Sequence, residues 1–128
     1  MEIVRRAFEA YNRGDLDTAV ADFAPDSEYI ASGAIPGGGG VFRGPEGYKR
    51  FVGWLREEFD QAGVEVDAIT DAGDRVLVSV TTRGRGKQSG VEASWDVWQV
   101  WTLRDGKIVT GVGFTDRDEA LEAAGLSE

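Results

Sequence analysis

The sequence predicts one α+β domain, residues 1–128, with helices gathered early in the chain and an antiparallel sheet later. Two observations support this fold class. Apolar residues recur at helical spacing near the N-terminus and again after residue 44, whereas from Val64 onward they alternate with polar residues in the period of two typical of strands. Turn-forming sequences divide this later part into four strands, so helices are expected on one face of a curved sheet.

The first 24 residues predict a helical hairpin. Asn12 and Gly14 end its first helix, and Asp15 caps a shorter second helix. The side chains of that helix expected to face inward include Phe23, and Pro25 limits its length. A short strand is expected at residues 28–30. The apolar stripe of the first helix consists of Ile3, Val4, Ala7, Phe8 and Tyr11.

Residues 31–44 predict a long loop, because four consecutive glycines at 37–40 leave the backbone unconstrained. Such a loop is often a lid over a site, and a plain surface connection is the alternative. A third helix begins at Gly44-Pro45-Glu46 and is expected to end at Gly63, with Trp54 beside its apolar stripe. That stripe consists of Tyr48, Phe51, Val52, Leu55 and Phe59.

Four strands and a last helix follow. The strands are expected from Val64 to a turn at 71–74, around Val76–Val80, over residues 91–103, and over 107–114 after a turn at 104–106. Asp116 caps the final helix and Gly125 ends it.

Charge and composition exclude several classes of function. The net charge of −9 opposes binding to nucleic acid or to anionic membranes, and no run is long and apolar enough to span a bilayer. The chain has neither histidine nor cysteine, so it lacks the commonest general base, thiol nucleophiles and most zinc ligands. We therefore expect no metal or cofactor. The lack of cysteine and of a signal peptide fits a cytoplasmic protein.

The third predicted strand is apolar on both faces. Val97 and Trp101 share one face with Gln99, while Trp98 and Val100 lie on the other. If the helices cover the first face, a homodimer that packs through Trp98 and Val100 would cover the second. The alternatives are shielding by the chain's own terminus and curvature of the sheet.

Several motifs resemble those of SnoaL-like domains, members of the NTF2-like (cystatin-like α+β barrel) superfamily. They are A-Y-N-R-G-D-L-D at 10–17, F-R-G-P-E-G at 42–47, G-D-R-V at 73–76, R-D-G-K-I at 104–108 and D-R-x-E-A-L at 116–121. The resemblance implies a cone in which a curved antiparallel sheet wraps around three N-terminal helices, with a short C-terminal helix and an apolar pocket. Its relatives include ketosteroid isomerases, limonene epoxide hydrolases and polyketide cyclases, as well as noncatalytic binding domains.

Residue-by-residue transfer of the catalytic positions of these relatives supports none of their chemistries. Only Gln99, near an oxyanion-binding position of the isomerases, is polar. Polyketide cyclases of this family use a histidine, which this chain lacks. The other corresponding positions are Ala7, Ala31, Val78, Val80 and Gly113.

Two residues remain as catalytic candidates. Gln99 could donate a hydrogen bond to a ligand carbonyl or oxyanion, or simply be satisfied by a backbone group or water. Asp96 would act as a base only if a bulge near Trp95 turned it inward; otherwise it is a solvated or interface residue. Ligand contacts are expected from Tyr11, Tyr29, Phe51, Trp54, Leu55, Gln99, Trp101 and Phe114.

The expected function is the binding of a small hydrophobic molecule in an apolar pocket, and whether the domain also has weak isomerase, cyclase or lyase activity is left open. The alternative is a noncatalytic ligand-binding or dimeric assembly module whose pocket is filled by aromatic side chains. A cavity without an ionisable group on its wall would argue against the enzyme.

Overall fold

The computed structural model describes residues 2–32 and 39–126. In chain order the elements are α1 (Glu2–Asn12), α2 (Leu16–Ala19), β1 (Phe23–Ala31), β2 (Gly40–Arg43), α3 (Gly44–Glu58), β3 (Phe59–Ala72), β4 (Arg75–Gly86), β5 (Glu92–Arg104), β6 (Lys107–Phe114) and α4 (Arg117–Ala123). The strands form a sheet of order β2-β1-β6-β5-β4-β3. The α+β class is confirmed, but the sheet is mixed, because β1 and β6 run parallel whereas the other neighbouring pairs are antiparallel.

The N-terminal hairpin is shorter than predicted. Helix α2 ends at Ala19, and Phe23, which we expected to face inward from that helix, begins β1 and aligns with Ile108 of β6. Strand β1 contains Pro25, which lies where the register between β1 and β6 shifts. Proline is compatible with such a position because its missing N–H removes no regular ladder hydrogen bond.

The segment 31–44, predicted as a loop, contains a strand that its sequence pattern did not reveal. Strand β2 pairs with β1, and Phe42 aligns with Tyr29. Residues 33–38, the part of the expected lid that includes Pro36, lie outside the described residues.

The sequence predicted that α3 would end at Gly63, but the helix ends five residues earlier, at Glu58. Phe59, assigned from its spacing to the helical stripe, instead begins β3 and aligns with Gly86 of β4. A Cβ atom on Gly84 would lie 2.8 Å from the Phe59 Cβ, so the benzyl side chain occupies the space that this glycine leaves open. Pairing with β4 therefore overrides the local helical pattern.

The later turns and caps agree with the prediction. Asp105 and Gly106 adopt positive φ angles of 53° and 77° in the turn between β5 and β6. The Asp116 carboxylate accepts hydrogen bonds from the backbone N–H groups of Asp118 and Glu119 at the start of α4. Gly125, with φ of 76°, follows the end of that helix.

The sheet buries side chains on both faces. On the inner face, Val76, Val78 and Val80 of β4 are packed into a core with α1 and α3. On the outer face, Val100 is only 4% exposed because α4 covers it, and Trp98 is half-buried in the same cluster. The apolar outer side of β5, from which we predicted a homodimer, is thus covered in part by the chain's own C-terminal helix.

Helix α4 is held on the sheet by one further contact. The guanidinium group of Arg75 donates a hydrogen bond to the carbonyl oxygen of Ala123, with an N–O distance of 3.0 Å. Along the described ranges, no helix combines the length and the hydrophobicity needed to cross a membrane.

Candidate functional site

A cavity of about 40 Å³ lies between the inner face of the sheet and helices α1 and α3. Helices α1 and α3 and strand β1 form its walls, and the inward positions of β3, β4 and β5 form its floor. Its lining residues are Phe8, Tyr11, Tyr29, Ala31, Ser32, Tyr48, Phe51, Leu55, Val64, Thr82, Val97 and Gln99.

A buried hydrogen-bonded chain connects the floor of the cavity to β1. The indole Nε1–H of Trp101 donates to Gln99 Oε1 over 3.0 Å, and Gln99 Nε2 donates to the Tyr29 hydroxyl over a longer 3.5 Å. Gln99 is 7% exposed, so both contacts lie away from bulk water. Within the protein, Gln99 is thus hydrogen-bonded to two side chains, Trp101 and Tyr29.

Glycine on β6 makes room for the indole of Trp101. Gly111 aligns with Trp101, and a Cβ atom placed on it would lie 2.3 Å from the six-membered ring of the indole. Tyr29 stacks with the indole, with ring centroids 5.5 Å apart and an interplanar angle of 17°. Trp101 is thus confined by contacts with both β6 and the Tyr29 ring.

The phenols of the cavity are neutral at physiological pH. Burial raises the pKa of Tyr29, and the neighbouring Tyr11 adds to this effect, while the hydrogen bond from Gln99 opposes it. Burial also raises the pKa of Tyr48. For Tyr11 burial again raises the pKa, and the charge of Arg56 acts in the opposite direction. All three side chains are therefore hydrogen-bonding groups without charge.

No carboxylate, lysine or arginine occurs among the lining residues within the described part of the chain. Nor do the described ranges contain a cluster of three or more side chains that could hold a metal ion. The arrangement can hold a neutral molecule by apolar contact and hydrogen bonding.

Five of the eight residues predicted to contact a ligand do line the cavity. The other three do not line it: Trp54 stacks on Phe51, Trp101 donates a hydrogen bond to Gln99, and Phe114 packs on the outer face of the sheet. Phe114 aligns with Trp98 on neighbouring strands, so the two share that outer face. The five lining residues are Tyr11, Tyr29, Phe51, Leu55 and Gln99.

Asp96 does not reach the cavity. The pairing of β4 with β5 is regular from Arg75 to Arg85, so no bulge near Trp95 reverses the direction of this side chain. Asp96 is exposed on the outer face, where its carboxylate and that of Asp67 both lie within hydrogen-bond distance of the Thr81 hydroxyl, at 3.3 and 2.9 Å.

Seven of the lining residues were not predicted from the sequence as ligand contacts. Thr82 could have been found by extending the inward alternation of β4 by one step, and Phe8 and Tyr48 already belonged to predicted helical stripes. Ala31 and Ser32 lie in a segment that was predicted as loop, so no local pattern indicated that they reach the cavity. Val64 and Val97 complete the set.

Comparison with known proteins places the fold among NTF2-like structures. An NTF2-like protein from Burkholderia thailandensis E264 is 32% identical, with a TM-score of 0.84 over 98% of this chain and 94% of that one. An NTF2-like protein of unknown function from Burkholderia pseudomallei K96243 is 26% identical, with a TM-score of 0.77 over 95% and 94%.

A protein with a ketosteroid isomerase-like fold from Catenulispora acidiphila DSM 44928, crystallised in complex with trimethylamine, is 20% identical. Its TM-score is 0.76 over 98% of this chain and 93% of that one, a likeness that concerns the fold alone. No functionally curated protein matches the chain. The SnoaL-like domain family matches residues 4–111, a range that begins within α1 and ends within β6. The chain therefore belongs to the SnoaL-like domain family and has its α+β fold.

Proposed function

We propose that this protein binds a small, neutral, mainly apolar molecule in the cavity between the inner face of the sheet and α1 and α3. The observation that carries the proposal is the composition of the lining. Aromatic and aliphatic side chains supply most of the wall, and the polar groups among them are phenols, hydroxyls and one amide. Pockets for small ligands combine such apolar walls with a few polar groups that orient the ligand.

The size of the cavity indicates a small ligand. A volume of 40 Å³ accommodates roughly three water molecules, well below the roughly 300–1,000 Å³ of pockets for drug-sized molecules. Aromatic side chains, among them Tyr48 and Phe51, fill the remaining space between helix and sheet. This agrees with the alternative in which aromatic groups occupy most of the pocket.

Binding without catalysis is favoured over the isomerase, cyclase or lyase activity considered above. General acid–base catalysis works best with a group whose pKa lies near the operating pH. Burial moves the pKa values of Tyr11, Tyr29 and Tyr48 further above neutrality, and the carboxylate of Asp96 lies on the opposite face of the sheet. Gln99 cannot exchange a proton at neutral pH, so it can position a ligand but cannot act as a base.

The binding proposal is tested by titrating the protein with cyclopentanone and with methylenecyclopentane while recording amide NMR spectra. We expect saturable shifts at residues around the cavity. Ala31→Phe, which fills the cavity, should abolish them, whereas Ile30→Phe is the matched control because Ile30 is the neighbouring residue on β1 and is exposed. If neither molecule causes saturable shifts, or if the shifts persist in Ala31→Phe, the proposal is refuted. If the wild-type protein instead converts a bound molecule chemically, and Gln99→Leu loses this conversion, the result would support an enzyme.

We propose that two copies of the chain pack through the part of the outer sheet face that α4 does not cover. A surface depression of about 240 Å³ there is lined in part by Trp98, Leu77 and Leu121. Sedimentation equilibrium at micromolar concentration should detect a dimer that Trp98→Arg dissociates, and a wild-type monomer would refute it. A cytoplasmic location likewise stays a prediction from the absence of cysteine.

A further inference from the structure

We infer that Trp101 fixes the direction of the hydrogen bonds at the cavity wall, so that the cavity selects a ligand carrying a hydrogen-bond acceptor, such as a ketone or an aldehyde. This inference rests on the proposed binding function, because it names the chemical class of the ligand. It makes Trp101 a positioning residue. Tyr29 and Gln99, which line the cavity, become the groups that contact the ligand.

The direction of the chain follows from the chemistry of its first member. An indole N–H can donate a hydrogen bond but cannot accept one. The atom of Gln99 that lies 3.0 Å from Trp101 Nε1 must therefore be the amide oxygen, which assigns the orientation of the amide from its surroundings. The amide nitrogen is then turned toward Tyr29.

Tyr29 accepts the next hydrogen bond of the chain. An amide nitrogen is only a donor, so at the 3.5 Å contact the phenol oxygen of Tyr29 accepts. The single O–H proton of Tyr29 is thereby left for another partner, as is the second N–H proton of Gln99. The chain from Trp101 thus presents donors to the cavity, and a ligand carbonyl oxygen would accept from them.

The other hydroxyl groups of the lining do not set this preference. Tyr11, Ser32, Tyr48 and Thr82 carry hydroxyl protons that rotate, so each hydroxyl can either donate or accept. By contrast, Trp101 cannot turn its N–H away from Gln99, because the indole is 3% exposed, lies against Gly111 and stacks with the Tyr29 ring. The fixed polarity of the wall therefore originates at Trp101.

The test compares two ligands of the same shape. Cyclopentanone carries an acceptor, and methylenecyclopentane replaces the carbonyl oxygen with a CH₂ group. We expect the wild-type protein to bind the ketone about three to ten times more tightly, the effect of roughly one net hydrogen bond. In Trp101→Phe the amide of Gln99 is free to reverse, and the affinity ratio should fall to about one. Phe51→Leu is the control: it removes part of the apolar wall and should weaken both ligands while leaving their ratio unchanged.

Gln99→Glu is a second variant that preserves the shape of the side chain. When ionised, the new carboxylate accepts from both Trp101 and Tyr29, so Tyr29 no longer donates to the ligand. We expect the preference for the ketone to fall as pH rises through the ionisation of this carboxyl group. In the wild-type protein the preference should stay constant over the same range.

The outcomes separate this inference from the proposed function. Equal wild-type affinity for the two ligands, or an unchanged ratio in Trp101→Phe and Gln99→Glu, would overturn the inference and leave binding standing. If neither ligand binds, the proposed function fails and the named ligand class fails with it. The orientation of the amide is then decided in the free protein: nuclear Overhauser contacts from the Gln99 amide protons to the Tyr29 ring support it, and contacts to the Trp101 indole proton overturn it.

Discussion

Replacement of Gly111 by alanine is expected to destabilise the fold by displacing Trp101. A Cβ atom at this position would lie 2.3, 2.5 and 2.8 Å from three carbons of the indole six-membered ring, distances that no carbon pair tolerates. The indole has little room to move, since Trp101 is 3% exposed and its ring contacts Phe8, Phe23 and Tyr29. The change therefore forces the core to repack.

The size of the effect follows from three contributions. Overpacking a core costs about 1–3 kcal/mol, and loss of the hydrogen bond from Trp101 to Gln99 costs about 1 kcal/mol. The lower conformational entropy of alanine in the unfolded chain offsets about 0.5–1 kcal/mol. The free energy of unfolding should thus fall by about 2 kcal/mol, which for a domain of this length lowers Tm by about 7 °C.

Urea unfolding followed by circular dichroism measures this change. Gly63→Ala is the matched control, because Gly63 also lies in a strand but a Cβ atom added to it would have no neighbouring atom within 4 Å. The free energy of unfolding of this variant should differ from that of the wild-type protein by less than about 0.5 kcal/mol. The steric explanation also requires that the cost of Gly111→Ala shrink in a Trp101→Leu background. Equal costs for Gly111→Ala and Gly63→Ala, or an undiminished cost beside Trp101→Leu, would refute the steric explanation.

Three further perturbations test other parts of the structure. The three tyrosines have raised pKa values in the folded protein, so the unfolded chain loses their protons at lower pH. The free energy of unfolding should therefore fall as pH rises above about 10, by up to about 4 kcal/mol per pH unit. Phenolate absorbance that develops near pH 10 while the circular dichroism spectrum stays native would contradict this. Asp116→Ala should lower the unfolding free energy by about 1 kcal/mol through loss of the α4 cap, whereas Asp116→Asn, which retains a capping oxygen, should change it by only a few tenths; equal losses would rule out capping. Val78→Ala should lower the free energy of unfolding in urea by about 2–3 kcal/mol, because Val78 is fully buried. Val41→Ala, at a residue that is 49% exposed, should lower it by less than about 0.5 kcal/mol. Similar losses in the two variants would mean that the inner core does not contribute to stability as described.

The sequence predicted best the features that depend on neighbouring residues. Strand β6 runs from Lys107 to Phe114 as predicted, because a turn at Asp105-Gly106 and the cap at Asp116 bound it on both sides. The inward alternation of Val76, Val78 and Val80 is likewise a local pattern that the structure retains. The end of α3 was predicted wrongly, since Phe59 satisfies both the helical spacing and the pairing with Gly86.

Prediction of the cavity was less complete for a different reason. Tyr11, Tyr29 and Gln99 were found because their polar groups lie in otherwise apolar patterns. Phe114 was misplaced because its direction depends on the pairing of β6 with β5, where a shift in register lies between Thr102 and Leu103. A one-residue change in register moves a side chain to the opposite face, and a single strand's sequence does not reveal it.

The sequence by itself determined the α+β class, the order of the helices along the chain, the caps of α2 and α4, the turn between β5 and β6, and the lack of histidine and cysteine chemistry. These follow from backbone preferences and side-chain chemistry that act over a few residues. Only the tertiary structure decided that β1 runs parallel to β6, that α4 covers Val100, and that Gly111 makes room for Trp101 beside Gln99. Each of these arises from contacts between residues far apart in the chain, whose energies depend on shape and register in three dimensions.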